Sequence, residues 1–332
     1  MKQTNVAGTA EKSNAPKVVG GDGIDRRNFL QCMAWAGTGL VWSFVAGVPN
    51  SKLLADPTSS AKKKVVEDFS FVQISDSHIG FNKAANQNVT GTLKIAIDKI
   101  NTGRAGMKAP DFMIHTGDIT QSSKPTEFDT AEQVIKEAKT GRVFYVPGEH
   151  DFSLDDGEQY KQRFGKGTLG SGWYSHDYKG VHFVGLNNCV QVDAMGNLGA
   201  DQLAWLKADL GGLSASTPVV LFAHIPLWMV YEKWGWGTQD GATALSYLKR
   251  FGSVTVLNGH IHQVVQKVEG NVSFHTAMST AFPQPAPGSA PGPGPMAVPA
   301  GKLESVLGVT NVKVVRGHNH LAVVDSSLAE TV

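Results

Sequence analysis

Short apolar runs alternate with amphipathic stretches between residues 69 and 276, and this pattern predicts a succession of strands and helices. We predict strands at 69–74, 111–115, 142–146, 219–222 and 254–257. We predict helices at 90–101, 126–139 and 200–210. In the last of these, Leu203, Leu206 and Leu210 share one face at helical spacing. The alternation excludes an all-α fold and predicts an α/β domain.

Turn signals complete the outline. Two strand-like runs between Trp173 and Asn187 flank Lys179-Gly180, which predicts a hairpin. Further short strands are expected around 264–276 and 311–324. The segment 283–300 holds seven prolines and three glycines, so it is predicted to be an irregular loop. It is either a plain surface connection, a cover for a site or a contact for a partner.

The first 64 residues have the layout of a targeting segment. Arg26-Arg27 precede Asn-Phe-Leu and an apolar run from Cys32 to Val48, and this arrangement resembles a bacterial twin-arginine export signal. We therefore predict an export signal and linker at 1–64, a periplasmic or extracytoplasmic location, and the twin-arginine export machinery as a partner. The alternative is a membrane anchor, since a run of about 17 residues is near the lower limit for a span. Membrane contact is expected only through this segment, if it remains uncleaved.

Composition and charge narrow the possibilities for residues 65–332, where we place one domain. The 332-residue chain is 41% hydrophobic and 18% charged, as folded proteins are. A formal net charge of +1 predicts no nucleic-acid-binding surface. Cys32 and Cys189 are the only cysteines, so neither a disulfide framework nor a thiolate zinc site can be built.

Candidate metal ligands follow five of the strand-like runs. The segments are Asp76-Ser77-His78, Gly117-Asp118, Gly148-Glu149-His150-Asp151, Ala223-His224 and Gly259-His260-Ile261-His262. Ligands collect at the carboxyl ends of strands in α/β sheets, and mixed carboxylate and imidazole sets suit borderline divalent cations. The segments supply enough ligands for two ions with a shared carboxylate, which predicts a two-metal hydrolase.

The order of these five segments resembles the calcineurin-like metallophosphoesterase family over residues 68–280. The resemblance implies a four-layer fold in which two mixed β-sheets pack face to face and are flanked by helices. It implies one metal ion bound by Asp76, His78, Asp118 and His262. It implies a second ion bound by Asp118, position 149, His224 and His260. The ions expected are divalent or mixed-valence Mn, Fe or Zn, with Asp118 between them.

The chemistry implied by this arrangement is hydrolysis of a phosphoester. Two cations about 3.5–4 Å apart can orient a phosphate and activate a water, so that a bridging hydroxide attacks phosphorus in line. His150 is expected to face the phosphate, where it would stabilise charge or protonate the leaving oxygen. Asp151 is either the partner that orients His150 or a structural cap or turn residue.

Glu149 departs from the family pattern, which has Asn at this position. A bound glutamate would lower the net charge of two divalent ions and their carboxylates from +2 to +1. Three interpretations stay open: Glu149 binds the second metal, it turns away and weakens that site, or it is a tolerated change. Gln121 stands where purple acid phosphatases carry a tyrosine ligand, so no coloured iron–tyrosinate centre is expected.

Residues next to the motifs are candidates for the substrate pocket. The aromatic residues that follow His224 either stack on a base or sugar of the substrate or simply pack the loop; they are Trp228, Tyr231, Trp234 and Trp236. Asn82 and Lys83 are predicted to contact phosphate. His115, just before Gly117, is expected to support the centre without binding metal.

The function predicted from these observations is an exported metallophosphoesterase that cleaves a small phosphoester, as a phosphodiesterase or a phosphomonoesterase. Hydrolysis of extracytoplasmic nucleotides or lipid headgroup phosphates, or phosphate scavenging, fits the expected compartment. Two alternatives belong to other classes: a non-catalytic metal-binding scaffold of the same fold, and a metallohydrolase of non-phosphate esters.

Overall fold

The computed structural model describes residues 39–45, 48–54, 66–103, 109–190, 195–318 and 321–329. The chain forms two compact units, residues 1–60 and 61–332. In the first, strands β1 (Gly39–Val45) and β2 (Val48–Leu54) pair antiparallel. The arginine pair of the predicted export signal lies outside the described residues, so that signal stays a prediction. Within the described ranges, no helix combines the length and the apolar character that crossing a membrane requires.

The second unit contains eleven of the described strands. They are β3 (Phe69–Ile74), β4 (Phe112–His115), β5 (Val143–Tyr145), β6 (Tyr174–Tyr178), β7 (Val181–Gly185), β8 (Val219–Phe222), β9 (Val254–Asn258), β10 (Gln266–Glu269), β11 (Val272–Thr276), β12 (Gly308–Val314) and β13 (Ala322–Ser327). One sheet has the order β13-β12-β3-β4-β5 and the other β10-β11-β9-β8-β7-β6. Strands β3, β4 and β5 run parallel, as do β7, β8, β9 and β11, and the outer strands are antiparallel. Both sheets are therefore mixed.

Helices lie between the strands in sequence. The α-helices are α1 (Val89–Thr102), α2 (Pro125–Ile135), α3 (Glu158–Phe164), α4 (Ala200–Gly211), α5 (Gly241–Leu248) and α6 (Leu303–Val306). Single 3-10 turns occupy Glu149–Asp151 and Glu232–Trp234. Helix α2 is shorter than the predicted 126–139, because the amides of Glu137 and Ala138 bond three residues back in tight turns rather than continuing the helix.

The two sheets pack face to face around an aromatic core. Phe71 and Phe112 of one sheet stack with ring centroids 5.0 Å apart, and Phe183 of the other sheet meets both rings edge-on. The outer face of the five-stranded sheet packs on buried residues of α1 and α2, and that of the six-stranded sheet on α4 and α5. Helix, sheet, sheet and helix make four layers, which confirms the predicted fold class.

The proline-rich segment 283–300 has no helix or strand, as predicted. Its fold is closed by a hydrogen bond from the Met296 amide to the Pro283 carbonyl, 2.9 Å long. Seven prolines lack the amide that sheet or helix pairing needs. Isolated turns hold the segment instead, such as the one closed by the hydrogen bond from the Ser289 amide to the Ala286 carbonyl.

Candidate metal centre

Every predicted ligand segment lies just beyond the carboxyl end of a strand. Asp76, Asp118 and Glu149 follow β3, β4 and β5, which are parallel neighbours in one sheet. His224 and the His260–His262 segment follow β8 and β9 in the other. Parallel strands end at the same edge of a sheet, and the two sheets pack face to face, so the five loops converge. The structure brings all seven predicted ligands together.

The first cluster consists of Asp76, His78 and His262, whose candidate ligand atoms lie within 4.8 Å of one another. His262 Nε2 is 3.2 Å from Asp76 Oδ1 and 3.2 Å from His78 Nε2. His262 Nδ1 donates to the Phe282 carbonyl at 2.6 Å, which leaves the Nε2 lone pair directed at the cluster. All three side chains are buried.

The second cluster consists of Glu149, His224 and His260. Each Glu149 oxygen approaches one imidazole: Oε2 lies 3.0 Å from His224 Nε2, and Oε1 lies 2.9 Å from His260 Nδ1. His224 Nδ1 donates to the Thr116 carbonyl at 2.7 Å, so its Nε2 lone pair also points into the cluster. Glu149 therefore faces the histidines rather than turning away.

Asp118 stands between the two clusters. Its Oδ2 is 3.5 Å from His78 Nε2 and 3.3 Å from His224 Nε2. Its Oδ1 accepts a hydrogen bond from the His150 amide at 3.0 Å. This is the position that a carboxylate shared by two ions must occupy.

The donor set fits two metal ions. His224 Nε2 and His260 Nδ1 are buried and make no hydrogen bond of acceptable angle, although carboxylate oxygens lie within 3.0 Å. Buried polar atoms in proteins are normally hydrogen-bonded, and these lone pairs instead converge on common points. Three carboxylates and four imidazoles form the ligand mixture that Mn, Fe and Zn accept.

The carboxylates and imidazoles of the two clusters lie close enough to shift one another's pKa values. Burial alone would raise the pKa of Asp76, but the imidazoles of His262, His224 and His78 lower it well below its usual range. Burial lowers the pKa of His78 to about 3, which keeps that ring neutral. Burial also acts to lower the pKa of His224, yet Asp118 and Glu149 raise it well above its usual value.

The backbone of the ligand loops is strained. Positive φ angles, between 42° and 69°, occur at five ligands: Asp76, His78, Asp118, His260 and His262. Such angles in non-glycine residues cost roughly 1 kcal/mol or more each and cluster at functional sites. Gly148 and Gly259 allow the close approach of these loops, since a Cβ on Gly148 would collide with the Asp118 carboxylate and one on Gly259 with the Ser75 hydroxyl.

His150 lies beside the clusters with one ring nitrogen committed. Nδ1 donates to the Gln121 carbonyl at 2.8 Å, because a carbonyl can only accept. Nε2 is therefore the atom left for a ligand. His150 also groups with His78 and Asp118, the candidate atoms lying within 4.8 Å of one another. The carboxylates of Asp118 and Glu149 raise the pKa of His150, although burial opposes them.

Asp151 does not orient His150, and that expectation is corrected. Its oxygens accept from the amides of Ile119, Thr120 and Gly148 at 3.1, 2.9 and 3.0 Å, and from the Thr120 hydroxyl at 2.9 Å. A buried carboxylate with four donors ties the Gly117-Asp118 loop to the Gly148–Asp151 loop. The structural alternative is the one observed, and the orienting role passes to the Gln121 carbonyl.

Sequence reasoning placed His115 behind the centre, and it lies there: its Nε2 is 2.7 Å from the Ser77 hydroxyl. Burial lowers the pKa of His115 to about 4. Cys189 was not singled out as a site residue. Its Sγ lies 4.0 Å from Glu149 Oε2, beside the second cluster. An isolated Asn-Cys pair carries no sequence signal of that proximity.

A cavity of about 380 Å³ opens above the two clusters. Lys83, Trp234 and Trp236 line it together with His78, His260 and His262. Trp228 instead packs on Phe274 in the core, 4.7 Å between ring centroids, so the aromatic residues after His224 divide between the pocket and the core. Pro293, Gly294 and Pro295 also line the cavity, so the proline-rich segment forms part of its wall.

Comparison with known proteins agrees with this geometry. The family model described as calcineurin-like phosphoesterase matches residues 69–264. A probable cyclic nucleotide phosphodiesterase of Synechococcus sp. is 27% identical over 229 residues, covering 65% of this chain and 85% of that protein. A probable glycerophosphodiester phosphodiesterase of Arcobacter nitrofigilis is 25% identical over 221 residues, covering 63% of this chain and 77% of that protein.

The fold is also found among solved structures. A dimetal phosphatase from Danio rerio superposes with a TM-score of 0.54 at 15% identity, covering 78% of this chain and 99% of that one. At this identity the likeness establishes the fold. With the family model matching more than half of the sequence and the ligand clusters in place, the chain belongs to the calcineurin-like phosphoesterase family, whose members are metal-dependent phosphoesterases.

Proposed function

We propose that this protein is an exported phosphodiesterase that uses two metal ions to hydrolyse small phosphodiesters. The observation that carries the proposal is the shared position of Asp118, which lies between two clusters that each contain one further carboxylate and two imidazoles. The names of the two relatives, both probable phosphodiesterases, favour diesters over monoesters.

The residues around the cavity divide into candidate metal ligands and residues that would contact the substrate. Asp76, His78 and His262 would hold one ion, and Glu149, His224 and His260 the other, with Asp118 bound to both. When bound, the ions would supply positive charge to the phosphate oxygens and lower the pKa of a water molecule positioned for in-line attack. Lys83 at the cavity wall would add a further positive charge near the phosphate.

His150 would act on the ester oxygen that leaves. Its Nδ1 proton is held by the Gln121 carbonyl, so Nε2 is the atom that would carry a proton to the leaving group. The Asp118 carboxylate accepts a hydrogen bond from the backbone amide of His150. This bond holds the His150 imidazole beside Asp118, the ligand that the two ions would share.

Two alternatives make different predictions. A non-catalytic scaffold needs no complete ligand set, whereas all seven predicted ligands converge here. A hydrolase of non-phosphate esters would use the same ions, and substrate tests separate it. We would load the purified protein with Mn, Fe or Zn, measure metal content, and assay bis-p-nitrophenyl phosphate, p-nitrophenyl phosphate and p-nitrophenyl acetate.

We expect close to two metal ions per chain and metal-dependent hydrolysis of the diester, faster than that of the monoester. Hydrolysis of the acetate alone would replace the phosphodiesterase by an esterase. Two bound metals without turnover of any of the three esters would support the scaffold.

Export through the twin-arginine machinery belongs to the proposal and rests on Arg26 and Arg27 followed by the apolar run. Fractionation of a bacterial host that expresses the full chain tests it, with paired Arg26→Lys and Arg27→Lys substitutions as the matched variant. We expect the wild type outside the cytoplasm and the variant retained inside. Equal export of both would contradict the twin-arginine assignment.

A further inference from the structure

Residues 226–238, which we call the aromatic loop, are closed at their base beside the metal centre. Thr238 Oγ1 donates to the Pro226 carbonyl at 2.9 Å, which joins the two ends of the loop. Asn188 Nδ2 donates to Thr238 Oγ1 and to the carbonyl of the residue after His224, both at 2.8 Å. The loop is therefore positioned by the same segment that positions a candidate ligand of the second cluster.

Trp234 is held in the aromatic loop by a tight hairpin. The Trp236 amide donates to the Tyr231 carbonyl at 3.1 Å, and the Tyr231 amide donates to the Trp236 carbonyl at 3.2 Å. The turn between them passes through Gly235, whose φ of 70° lies in the left-handed region that glycine adopts readily. The Trp234 ring is nearly perpendicular to both neighbouring rings, with centroids 5.3 Å from Tyr231 and 5.0 Å from Trp236. These contacts hold the indole in place before a ligand binds.

The Trp234 side chain is open to a ligand in the cavity. It lines the cavity and is partly exposed, whereas Trp236 is 1% exposed. Among the described residues, no aromatic ring lies parallel to the Trp234 ring. Parallel stacking on this indole is therefore left to a flat group that enters the cavity.

The proline-rich segment supplies a second apolar wall of the same cavity. Pro293 and Pro295 line it, and neither has an amide proton to offer a ligand. The segment approaches the aromatic loop, since a Cβ placed on Gly288 would lie 3.5 Å from the Tyr231 hydroxyl. The indole and the prolines therefore belong to neighbouring parts of one wall.

Two glutamines fasten the proline-rich segment to the loop that carries two metal ligands. Gln284 Nε2 donates to the His260 carbonyl at 3.1 Å. Gln263 Nε2 donates to the Pro285 carbonyl at 3.0 Å. Because both apolar walls are tied to segments that carry metal ligands, their position relative to a phosphate bound at the clusters is set by the fold.

An indole and two prolines favour a flat group with apolar faces over a sugar or a polyol. A sugar hydroxyl that faces them would lose its hydrogen bonds to water, which costs free energy when no partner replaces them. A nucleobase has two π faces and carries its polar groups at its edge, so it can stack on the indole while the edge stays hydrated. Every base can stack in this way, because each has a π face.

We infer that Trp234 is a specificity-determining residue that stacks on a nucleobase, so that the preferred substrates are phosphodiesters of nucleosides. The inference rests on the proposed phosphodiesterase function and narrows it. The phosphate would bind at the two ligand clusters and the base against the Trp234 indole. Polyol and choline esters, which lack a flat ring, would be poorer substrates.

The experiment compares diesters that differ in the base. We would prepare the trifluoroethyl esters of deoxyadenosine 5′-phosphate, of the base-free dideoxyribose 5-phosphate and of phosphocholine. All three release trifluoroethanol, which has no ring and is measured by fluorine NMR. For metal-loaded wild type we expect kcat/KM for the deoxyadenosine ester to exceed that for the base-free ester by about 5- to 150-fold, the value of one base stacked on an aromatic ring. The difference should lie mainly in KM, because the contact is remote from the reacting phosphorus.

Trp234→Leu removes the ring, and Trp234→Phe keeps a smaller one. The ratio between the two esters is taken within each variant, so a change in overall turnover does not enter it. We expect the ratio to fall close to one in Trp234→Leu and to lie between that value and the wild-type ratio in Trp234→Phe.

Trp205→Leu is the matched control. Trp205 is a partly buried indole of α4 near Trp173 and is not among the described residues that line the cavity. This variant should keep the wild-type ratio. Metal content is measured for each variant to show that the ligand clusters still bind their ions.

The possible outcomes distinguish the stacking role from the proposed function. A wild-type ratio near one, an unchanged ratio in Trp234→Leu, or equal loss of the ratio in Trp205→Leu would overturn the stacking role and leave the phosphodiesterase intact. A wild-type preference for the choline ester over the deoxyadenosine ester would also overturn it, since the indole would then bind a cation. Absence of turnover of every diester by metal-loaded wild type would overturn the proposed function and this inference with it.

Discussion

The two halves of the metal centre contain the same kinds of ligand in different surroundings. In the first cluster the side chains of Asp76 and His262 are 0% and 2% exposed. In the second, those of Glu149 and His260 are 26% and 15% exposed and border the open cavity. The Phe282 ring covers the first cluster, 4.8 Å from the His78 ring and 4.7 Å from the His262 ring.

This difference in exposure predicts that the two metal positions differ in how fast they release their ions. Both clusters border the cavity, the first through His78 and His262 and the second through Glu149 and His260. We expect the ion at the less exposed first cluster to be released more slowly than the ion at the second. We expect Glu149 to strengthen ion binding at the second cluster, because its carboxylate brings a negative charge where the family pattern has a neutral amide. The two clusters therefore differ more in the solvent exposure of their side chains than in the charge of their ligands.

The largest expected effect comes from removing the ligand that the two halves share. Asp118→Asn replaces the carboxylate between the clusters by a neutral amide, so each ion loses a negatively charged ligand. We expect hydrolysis of bis-p-nitrophenyl phosphate to fall about a thousandfold or more, because the charge stabilisation supplied by a metal ion is worth several kcal/mol. Asp129→Asn, at an exposed position, is the control and should retain full activity. Near-normal turnover by Asp118→Asn would show that the two halves work independently.

The next effect tests a residue that belongs to neither half. His150→Gln should lower kcat by about 10²- to 10⁴-fold, the usual contribution of a general acid, while the metal content stays at two ions. Elemental analysis alongside kinetics checks both statements. Loss of an ion from this variant would make His150 a ligand instead.

A smaller effect should follow from opening the covered half. Phe282→Leu removes part of the ring over His78 and His262 and is expected to cost roughly 1 kcal/mol of stability. Ion release from the tighter site into a chromogenic chelator should become severalfold faster. Phe274→Leu, in the core against Trp228, is the control of similar stability cost. If both variants release metal at the same rate, Phe282 is not a cover.

The smallest effect concerns His182, a histidine held by carboxylates without any metal. Its nitrogens lie 2.8 Å from Asp177 Oδ1 and 2.8 Å from Asp209 Oδ2. Burial lowers the pKa of His182, but the hydrogen bonds to Asp209 and Asp177 more than offset this and raise it. The charged ring therefore stabilises the fold fully below the unfolded pKa of about 6.5, and this contribution disappears as pH rises through the higher folded value.

Denaturant unfolding of wild type and His182→Asn between pH 5.5 and 9 measures this contribution. We expect a difference of about 0.5–1 kcal/mol at pH 6 that shrinks towards pH 9. His176→Asn is the control, since burial lowers the pKa of His176 to about 4 and it does not titrate in this range. A His182 difference that stays constant or grows with pH would contradict the assigned charge.

The fold and the ligand clusters were predictable because both depend on patterns along the chain. Apolar runs located β3, β4, β8 and β9. Each ligand segment directly follows a strand, so the order of the motifs along the chain was enough to predict the metal ligands. The role of Asp151 was not predictable. Its partners are backbone amides of two different loops, and sequence contains no record of which loops meet.

Helices were less predictable where apolar spacing was weak. Helix α3 buries only Tyr160, and α6 has four residues and no buried one. The cavity wall was also beyond sequence reasoning. Composition predicted that 283–300 is irregular, but the hydrogen bonds of Gln284 and Gln263, which aim it at the metal site, are long-range contacts.

We propose that two ions bind, one in each half of the centre, and that Glu149 holds the more accessible one. Calorimetric titration of Mn²⁺ into the metal-free protein and into Glu149→Gln tests this proposal. We expect two binding events for wild type and selective loss or strong weakening of the lower-affinity event in the variant. One event in wild type, or two unchanged events in Glu149→Gln, would contradict it.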